Sequence, residues 1–582
     1  MSRRTQQNPA KVNDKPNRKD GILAALRESF NAHPLFFVFF FTALCLFPVL
    51  MMKDWSPSNE LRYIGIADEA LRDGHIFAFH THGEIYADKP PLYLWLIMLS
   101  KVIFGKHVPF ILYMFSFIPA LVIVQVMDKW IRLERASDRA VLALMALTMM
   151  MYIGMAVVLR MDMLMCMFIV LALFTFFKMY CGAGNLRSQR IMLPVWIFLA
   201  LFTKGPVGIL VPPISILVFL AVKGKIKDTG KYLGWRTWTI IAVLFGLWVF
   251  AAYMEGGKEY INNLLFHQTV DRAVNAFHHK RPFWYYVPAL FYTTAPYCLL
   301  LVGSVAAMLS VKWKERKDPS AQDPSTTDDA ATLFLCVIIS TFLMLSAFSS
   351  KLSIYLAPMF PFMVWLFPLV LDKTGWKRWM GWSLGIPAGI LAFAGFAAII
   401  VKTFFGSDRG IAALLSQYSF AYSPLLWFAV GIIAVGNLMA VIFLLKKRPW
   451  NFAAFMMASS LLLGIYSASS LMPRVNDYIG YKNLCAEIPS EGRVVTLNVH
   501  RPDNMDVFIG REVEDYGKDV EKFLSEEFGA EGTNGPFILV VKEKLAEKSE
   551  EIRLLERYST AYVGEYCVIK VPENAFAPKE EE

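Results

Sequence analysis

Apolar runs close to the length of a membrane-crossing helix, about 20 residues, recur along this chain and are separated by short polar connections. They begin near His33, His107, Arg139, Met161, Met192, Gly205, Thr237, Trp284, Thr332, Leu352, Gly381, Ser423 and Trp450. The pattern predicts about thirteen transmembrane helices. One further run, PLYLWLIMLSKVIF over residues 91–104, is short for a crossing and is expected to lie along the outer surface. Counted as a crossing, it would invert every later loop. After about residue 471 the pattern changes: strand-like VVTLNV, FILVV and YCVIKV alternate with charged helical stretches such as VEDYGKDVEKFLSEEF, which predicts a small α/β domain. The expected fold is therefore mainly α and polytopic, with interfacial helices in the first outward loop and a small C-terminal α/β extracytoplasmic domain. Its expected divisions are a basic leader (1–32), a transmembrane domain (33–472) with long outward loops at 53–106 and 255–284, and the outer domain (473–582).

Composition agrees with this reading, because 56% hydrophobic and only 18% charged residues among 582 exclude an ordinary soluble domain. The formal charge of +10 does not point to nucleic acid, since the basic residues sit in short loops. The clusters at 129–139, 187–190, 223–236, 312–317, 373–378 and 446–448 all fall on the side of the basic leader. By the positive-inside rule that side is cytoplasmic, and the C-terminal domain is then outside. The leader lacks the order of a cleaved signal peptide, so the first apolar run is expected to remain as an anchor. Seven cysteines show no CxxC pair; Cys485 and Cys567 flank the outer domain, but no bridge between them is expected.

Candidate chemistry lies on the outward side. Arg62, Lys89, Lys204, Arg272 and Lys351 occupy outward loops or span ends, where topology statistics disfavour cations. Singly, each could snorkel or pair with a carboxylate; five on one face are better explained by a shared anionic ligand such as a lipid phosphate. The carboxylates are Glu60, Asp88 and Asp162, with Asp68, Glu69 and Glu84 also in the first loop. Asp162 opens an apolar helix, where an ionised group needs a partner; it could cap that helix, serve catalysis, or both. Glu60 and Asp162 are the candidate general bases if their loops converge. Six of nine histidines, namely His75, His80, His82, His267, His278 and His279, are also outward. They show no metal-ligand spacing, and a divalent metal held by His267 with Asp88 is the alternative to plain interfacial histidines. Aromatics in RPFWYY, residues 281–286, fit a membrane-interface belt and could stack on a sugar.

The order NELRY, GEIYADKPPLYLW, RMDM, FTKGP, HQTVDR, HHKRPFWYY and SSKLSIYLAPMFP resembles the GT-C membrane glycosyltransferases of the aminoarabinose lipid A transferase (ArnT) and protein O-mannosyltransferase type. The resemblance implies an enzyme of the bacterial inner membrane. Such an enzyme transfers a sugar from a polyprenyl (undecaprenyl) monophosphate donor to a lipid A, glycan or protein acceptor on the periplasmic face, with inversion. It also implies that Arg62, Lys89 and Arg272 hold the donor phosphate, with Lys204 and Lys351 as further candidates. Asp162 would take the second acidic position, and Tyr63, Tyr86, Trp284 and Tyr355 would line the substrate pocket. No cofactor is required, and Asp88 with His267 is the place where relatives can carry a metal. One departure stands out: the first-loop signature is usually Asp-Glu, and here it is Asn59-Glu60. Asn59 cannot accept a proton, so Glu60 or Asp162 takes that role, or the acceptor is already anionic, or activity is altered. The rival readings are a transporter or flippase for a lipid-linked saccharide and a non-catalytic envelope assembly factor.

Overall fold

A computed structural model describes residues 18–264, 280–318, 325–528 and 535–572. Long apolar helices carry most of the chain, because a backbone in hydrocarbon must satisfy its own hydrogen bonds. Among the described residues nine helices are long and apolar enough to cross a membrane, or ten if the bent pair Ala136–Thr148 and Met150–Ala156 is one span. The protein is a multi-pass membrane protein, but the expected count of thirteen is not confirmed. The difference lies in helices that are charged, short or broken. Leu186–Lys204 carries Arg187, Arg190 and Lys204. Pro206–Val222 has 17 residues. Tyr286–Thr293 and Cys298–Lys317 are separate helices. The run expected along the surface forms the helix Leu92–Phe104, 13 residues long.

Local chemistry places the helix ends that matter. In FTKGP, the helix Leu186–Lys204 stops at Gly205, whose φ of +85° suits glycine. Pro206 then opens the next helix at its first position, where no N–H is needed. The two helices cross so closely that a Cβ on Gly208 would lie 2.2 Å from the Ala200 backbone. This sharp reversal leaves Lys204 at the C-terminal end of its helix. Asp162 begins the antiparallel neighbour Asp162–Tyr180, where a carboxylate suits the positive end of the helix dipole.

The loop between the first two long helices is held to the bundle by carboxylates, one of them, Glu69, buried. Glu255 accepts from Ile76 N (2.7 Å), Phe77 N and Ala78 N (2.6 Å). Glu69 accepts from His82 N and Gly83 N at 2.8 and 2.9 Å, closing the hairpin of β1 (His80–Thr81) and β2 (Glu84–Ile85). Asp68 takes Lys101 and His107, each at 2.6 Å.

The C-terminal region contains β3 (Arg493–Leu497), β4 (Glu514–Asp515), β5 (Phe537–Lys542), β6 (Ser559–Val563) and β7 (Tyr566–Val571) in the order β4-β3-β5-β7-β6. The pairs β3–β4 and β3–β5 are parallel, whereas β5–β7 and β6–β7 are antiparallel. Side chains alternate between faces. Val495, Leu497, Leu539, Val541 and Ile569 pack with Phe523, Ile552 and Leu555 in the domain's own core. Val494, Ile538, Val540 and Val568 join the core shared with the membrane bundle. Cys485 and Cys567 are both free and buried, as expected.

The sheet domain rests on the start of the first loop. Asp54 accepts from Lys482 N (2.8 Å), and its own N–H donates to Asn476 Oδ1 (2.9 Å). Asn504 Nδ2 reaches Pro57 O at 3.1 Å, Ser58 meets His500 at 2.8 Å, and Trp55 stacks on Phe508 at 6.2 Å.

Candidate active site

Glu60 explains how distant loops come together. It lies in the π-helical turn Pro57–Leu61 and is 1% exposed. One carboxylate oxygen accepts from Leu159 N at 2.7 Å; the other accepts from Ser56 N and Lys53 Nζ, both at 2.8 Å. The first loop is thereby fastened three residues before Asp162, so the two carboxylate-bearing loops do converge. Every Glu60 oxygen is occupied in doing so. Asn59, its half-buried neighbour, makes no side-chain hydrogen bond among the described residues.

Asp162 is also 1% exposed. Lys204 makes a close ion pair with one of its oxygens, and Arg160 Nε meets the other at 3.2 Å. Ser116 Oγ donates to Arg160 O at 3.0 Å and lies 3.2 Å from Tyr93 OH, which fixes the segment from below. A buried carboxylate between two cations stays ionised and holds both in place.

Tyr63 occupies the middle of the group. It is 3% exposed, and burial pushes its phenol up to about 12, with the charges of Arg160, Asp162, Arg62 and Asp88 all acting on it. The Arg62 guanidinium lies 5.9 Å from the Tyr63 ring and 5.7 Å from the Tyr86 ring. Its buried Nε has no hydrogen-bond partner among the described residues, which leaves a donor unspent where a desolvated N–H ordinarily finds an acceptor. Lys89 pairs with Asp88 at 3.1 Å, and Tyr86 OH donates to the same Asp88 oxygen at 3.4 Å. Lys204 Nζ stands 5.1 Å from the Tyr355 ring and feels the charge of Lys89.

The structure thus gathers Arg62, Lys89, Lys204, Asp88, Asp162, Tyr63, Tyr86 and Tyr355, with Glu60 and Asn59 at the margin. Lys351 is placed differently. It is 3% exposed, and its ammonium donates to Phe348 O and to Arg281 O (3.3 Å), tying two outward segments together. Trp284 is 55% exposed in the turn Phe283–Tyr285 and, among the described residues, makes no hydrogen bond or ring contact with the group. Arg272 and His267 lie outside the described residues. No cluster of three or more metal-ligating side chains occurs among the described residues; Asp88 is engaged by Lys89 and Tyr86 instead. Sequence reasoning passed over Arg160, although it stands two residues before Asp162 in the motif RMDM. The same argument that selected Arg62, a cation at an outward span end, applies to it. Glu255 was missed because its partners, the N–H groups of residues 76–78, are remote in sequence, and Lys53 because nothing in its spacing from Glu60 marks a pair.

The helical bundle with its C-terminal sheet defines a class of polytopic fold, the one seen in the ArnT crystal structure described below. The family model described as dolichyl-phosphate-mannose-protein mannosyltransferase matches residues 88–249, a stretch that includes Lys89, Arg160, Asp162 and Lys204. The undecaprenyl phosphate-alpha-4-amino-4-deoxy-L-arabinose arabinosyl transferase of Pectobacterium carotovorum is 24% identical over 437 residues, 71% of each chain. That of Serratia proteamaculans is 28% identical over 285 residues, 48% of this chain and 49% of the relative. Among solved structures, the crystal structure of ArnT from Cupriavidus metallidurans bound to undecaprenyl phosphate superposes with a TM-score of 0.68 at 18% identity. That match covers 93% of this chain and 99% of the other.

Proposed function

We propose that this protein transfers a sugar from a polyprenyl monophosphate carrier to an acceptor at the outer face of the membrane, the basic loops and leader facing the cytoplasm and the C-terminal domain the periplasm. The observation that carries this reading is the Arg62 guanidinium, whose buried Nε has no hydrogen-bond partner among the described residues, gathered with the Lys89–Asp88 pair and with Lys204 and Arg160 on buried Asp162. The relatives named for undecaprenyl phosphate aminoarabinose make an amino-pentose on an undecaprenyl carrier the first donor to try.

In the reaction, the acceptor oxygen forms a bond to the anomeric carbon from the side opposite the phosphate, with inversion. The anomeric carbon–oxygen bond breaks, and its electron pair stays on the departing polyprenyl phosphate. Arg62 and Lys89 neutralise that growing charge, a contribution worth about 100-fold in rate or more per donor in comparable sites. Asp162 holds Lys204 and Arg160 in position for the same task. Among the described residues the carboxylates of the group are engaged: Glu60 accepts three donors, Asp162 is clamped by two cations, Asp88 is held by Lys89 and Tyr86, and Asn59 is not basic. This favours an acceptor that arrives anionic, such as a lipid A phosphate, and needs no deprotonation.

Purified protein given labelled undecaprenyl phosphate aminoarabinose and lipid A tests the reading. Labelled lipid A is expected, with Arg62→Ala and Lys89→Ala each lowering turnover about 100-fold. Movement of the donor between leaflets without a new glycosidic bond would replace the enzyme with a flippase.

A further inference from the structure

At the end of the bundle opposite Asp162, the helices Arg378–Phe405 and Pro424–Leu445 leave a groove of about 800 Å³. Both helices turn most of their surface outward, with only 17% and 22% of their apolar windows buried, so hydrocarbon reaches the groove walls. Those walls include Trp382, 68% exposed, and Leu444. The mouth carries Arg378, Lys447 and Arg448, all exposed, with Trp376 beside them. No acidic residue lines the groove, and none of the three cations has an ion pair or side-chain hydrogen bond among the described residues. Contrast the adjacent cations Lys312 and Lys373, which are consumed by Glu315 and Asp328. Two helix starts, at Arg378 and Trp450, also open here without a side-chain cap, adding their positive ends to the same mouth.

From this juxtaposition we infer a binding site for an anionic phospholipid of the membrane, separate from the donor site: its phosphate sits among Arg378, Lys447 and Arg448, and its acyl chains lie along Trp382 and Leu444. Charge complementarity selects the headgroup, because three unpaired cations at a membrane surface attract an anionic lipid by about five-fold each. The open apolar walls select a lipid over a free phosphate. Interfacial tryptophans beside the cations fit headgroup depth.

The test uses full-length protein in nanodiscs of phosphatidylcholine with 30% phosphatidylglycerol, roughly the anionic content that such electrostatic binding requires, followed by native mass spectrometry after progressive delipidation. Wild-type protein is expected to retain phosphatidylglycerol in preference to phosphatidylcholine. The combined variant Arg378→Gln, Lys447→Gln, Arg448→Gln is expected to lose that preference by about ten-fold or more. A control, Arg187→Gln with Arg190→Gln, removes charge from the first turns of the helix Leu186–Lys204 and is expected to retain it. Equal retention of both lipids by wild type overturns the inference whatever the variant does. So does an equal loss in the control, or competition by free inorganic phosphate that strips the lipid.

Discussion

Glu60 shows how the role of a residue can change once its partners are known. Its sequence setting, an acid beside an Arg-Tyr pair in an outward loop, suits a general base as well as a structural clamp. The three donors on its carboxylate decide for the clamp. Removing the charge leaves Lys53, 12% exposed at its side chain, without its partner, and breaking a buried pair in this way costs about 3 kcal/mol or more. Glu60→Gln is therefore expected to lower the thermal midpoint in detergent by several degrees, with donor affinity falling only through misplacement of Arg62. A variant as stable as wild type but inactive would return Glu60 to the reacting atoms. The identity of the residue was legible in the sequence; its saturation was not, because two of the three donors are backbone N–H groups, which leave no trace in the side-chain pattern.

Among the elements, the hairpin β1–β2 carries a titratable link to the sheet domain. His82 Nε2 meets Asp506 at 3.2 Å, and this hydrogen bond raises the imidazole from 6.5 to about 9. A raised pKa means that the link stabilises the folded state fully below about pH 6.5, and that this contribution is lost as pH rises through about 9. The protection of the hairpin amides, taken relative to their intrinsic base-catalysed exchange, is expected to fall between these values, and His82→Gln is expected to remove that fall. An unchanged profile in that variant would assign it to another group. The helices themselves were well foreshadowed by apolar run length, including the reversal at Gly205-Pro206 and the short helix Leu92–Phe104. The count was not, since run length says nothing of the charges and breaks that leave Leu186–Lys204 and Tyr286–Thr293 outside the criteria for a simple span.

At the scale of the whole molecule, the sheet domain and the first long loop form one packed unit. Asp54 is the joint: its carboxylate accepts from Lys482 N and Trp55 N, and its backbone is held by Asn476. Asp54→Ala removes the acceptor of two N–H groups, and stranding the buried one, Trp55 N, costs about 1–3 kcal/mol. Faster proteolysis of the C-terminal region is expected, together with slower transfer, because the turn bearing Asn59 and Glu60 begins three residues later. Intact docking and normal rate in this variant would make the joint incidental. Long-range pairings such as Asp54 with Lys482 cannot be read from periodicity, which records only near neighbours; the domain was legible, its seat was not. The central claim is that Arg62 and Lys89 grip the phosphate of a polyprenyl carrier, and direct titration of undecaprenyl phosphate into purified protein tests it most plainly. The account predicts that Arg62→Gln combined with Lys89→Gln weakens binding by about 100-fold, with the fold intact. Affinity equal to that of the wild-type protein would contradict it.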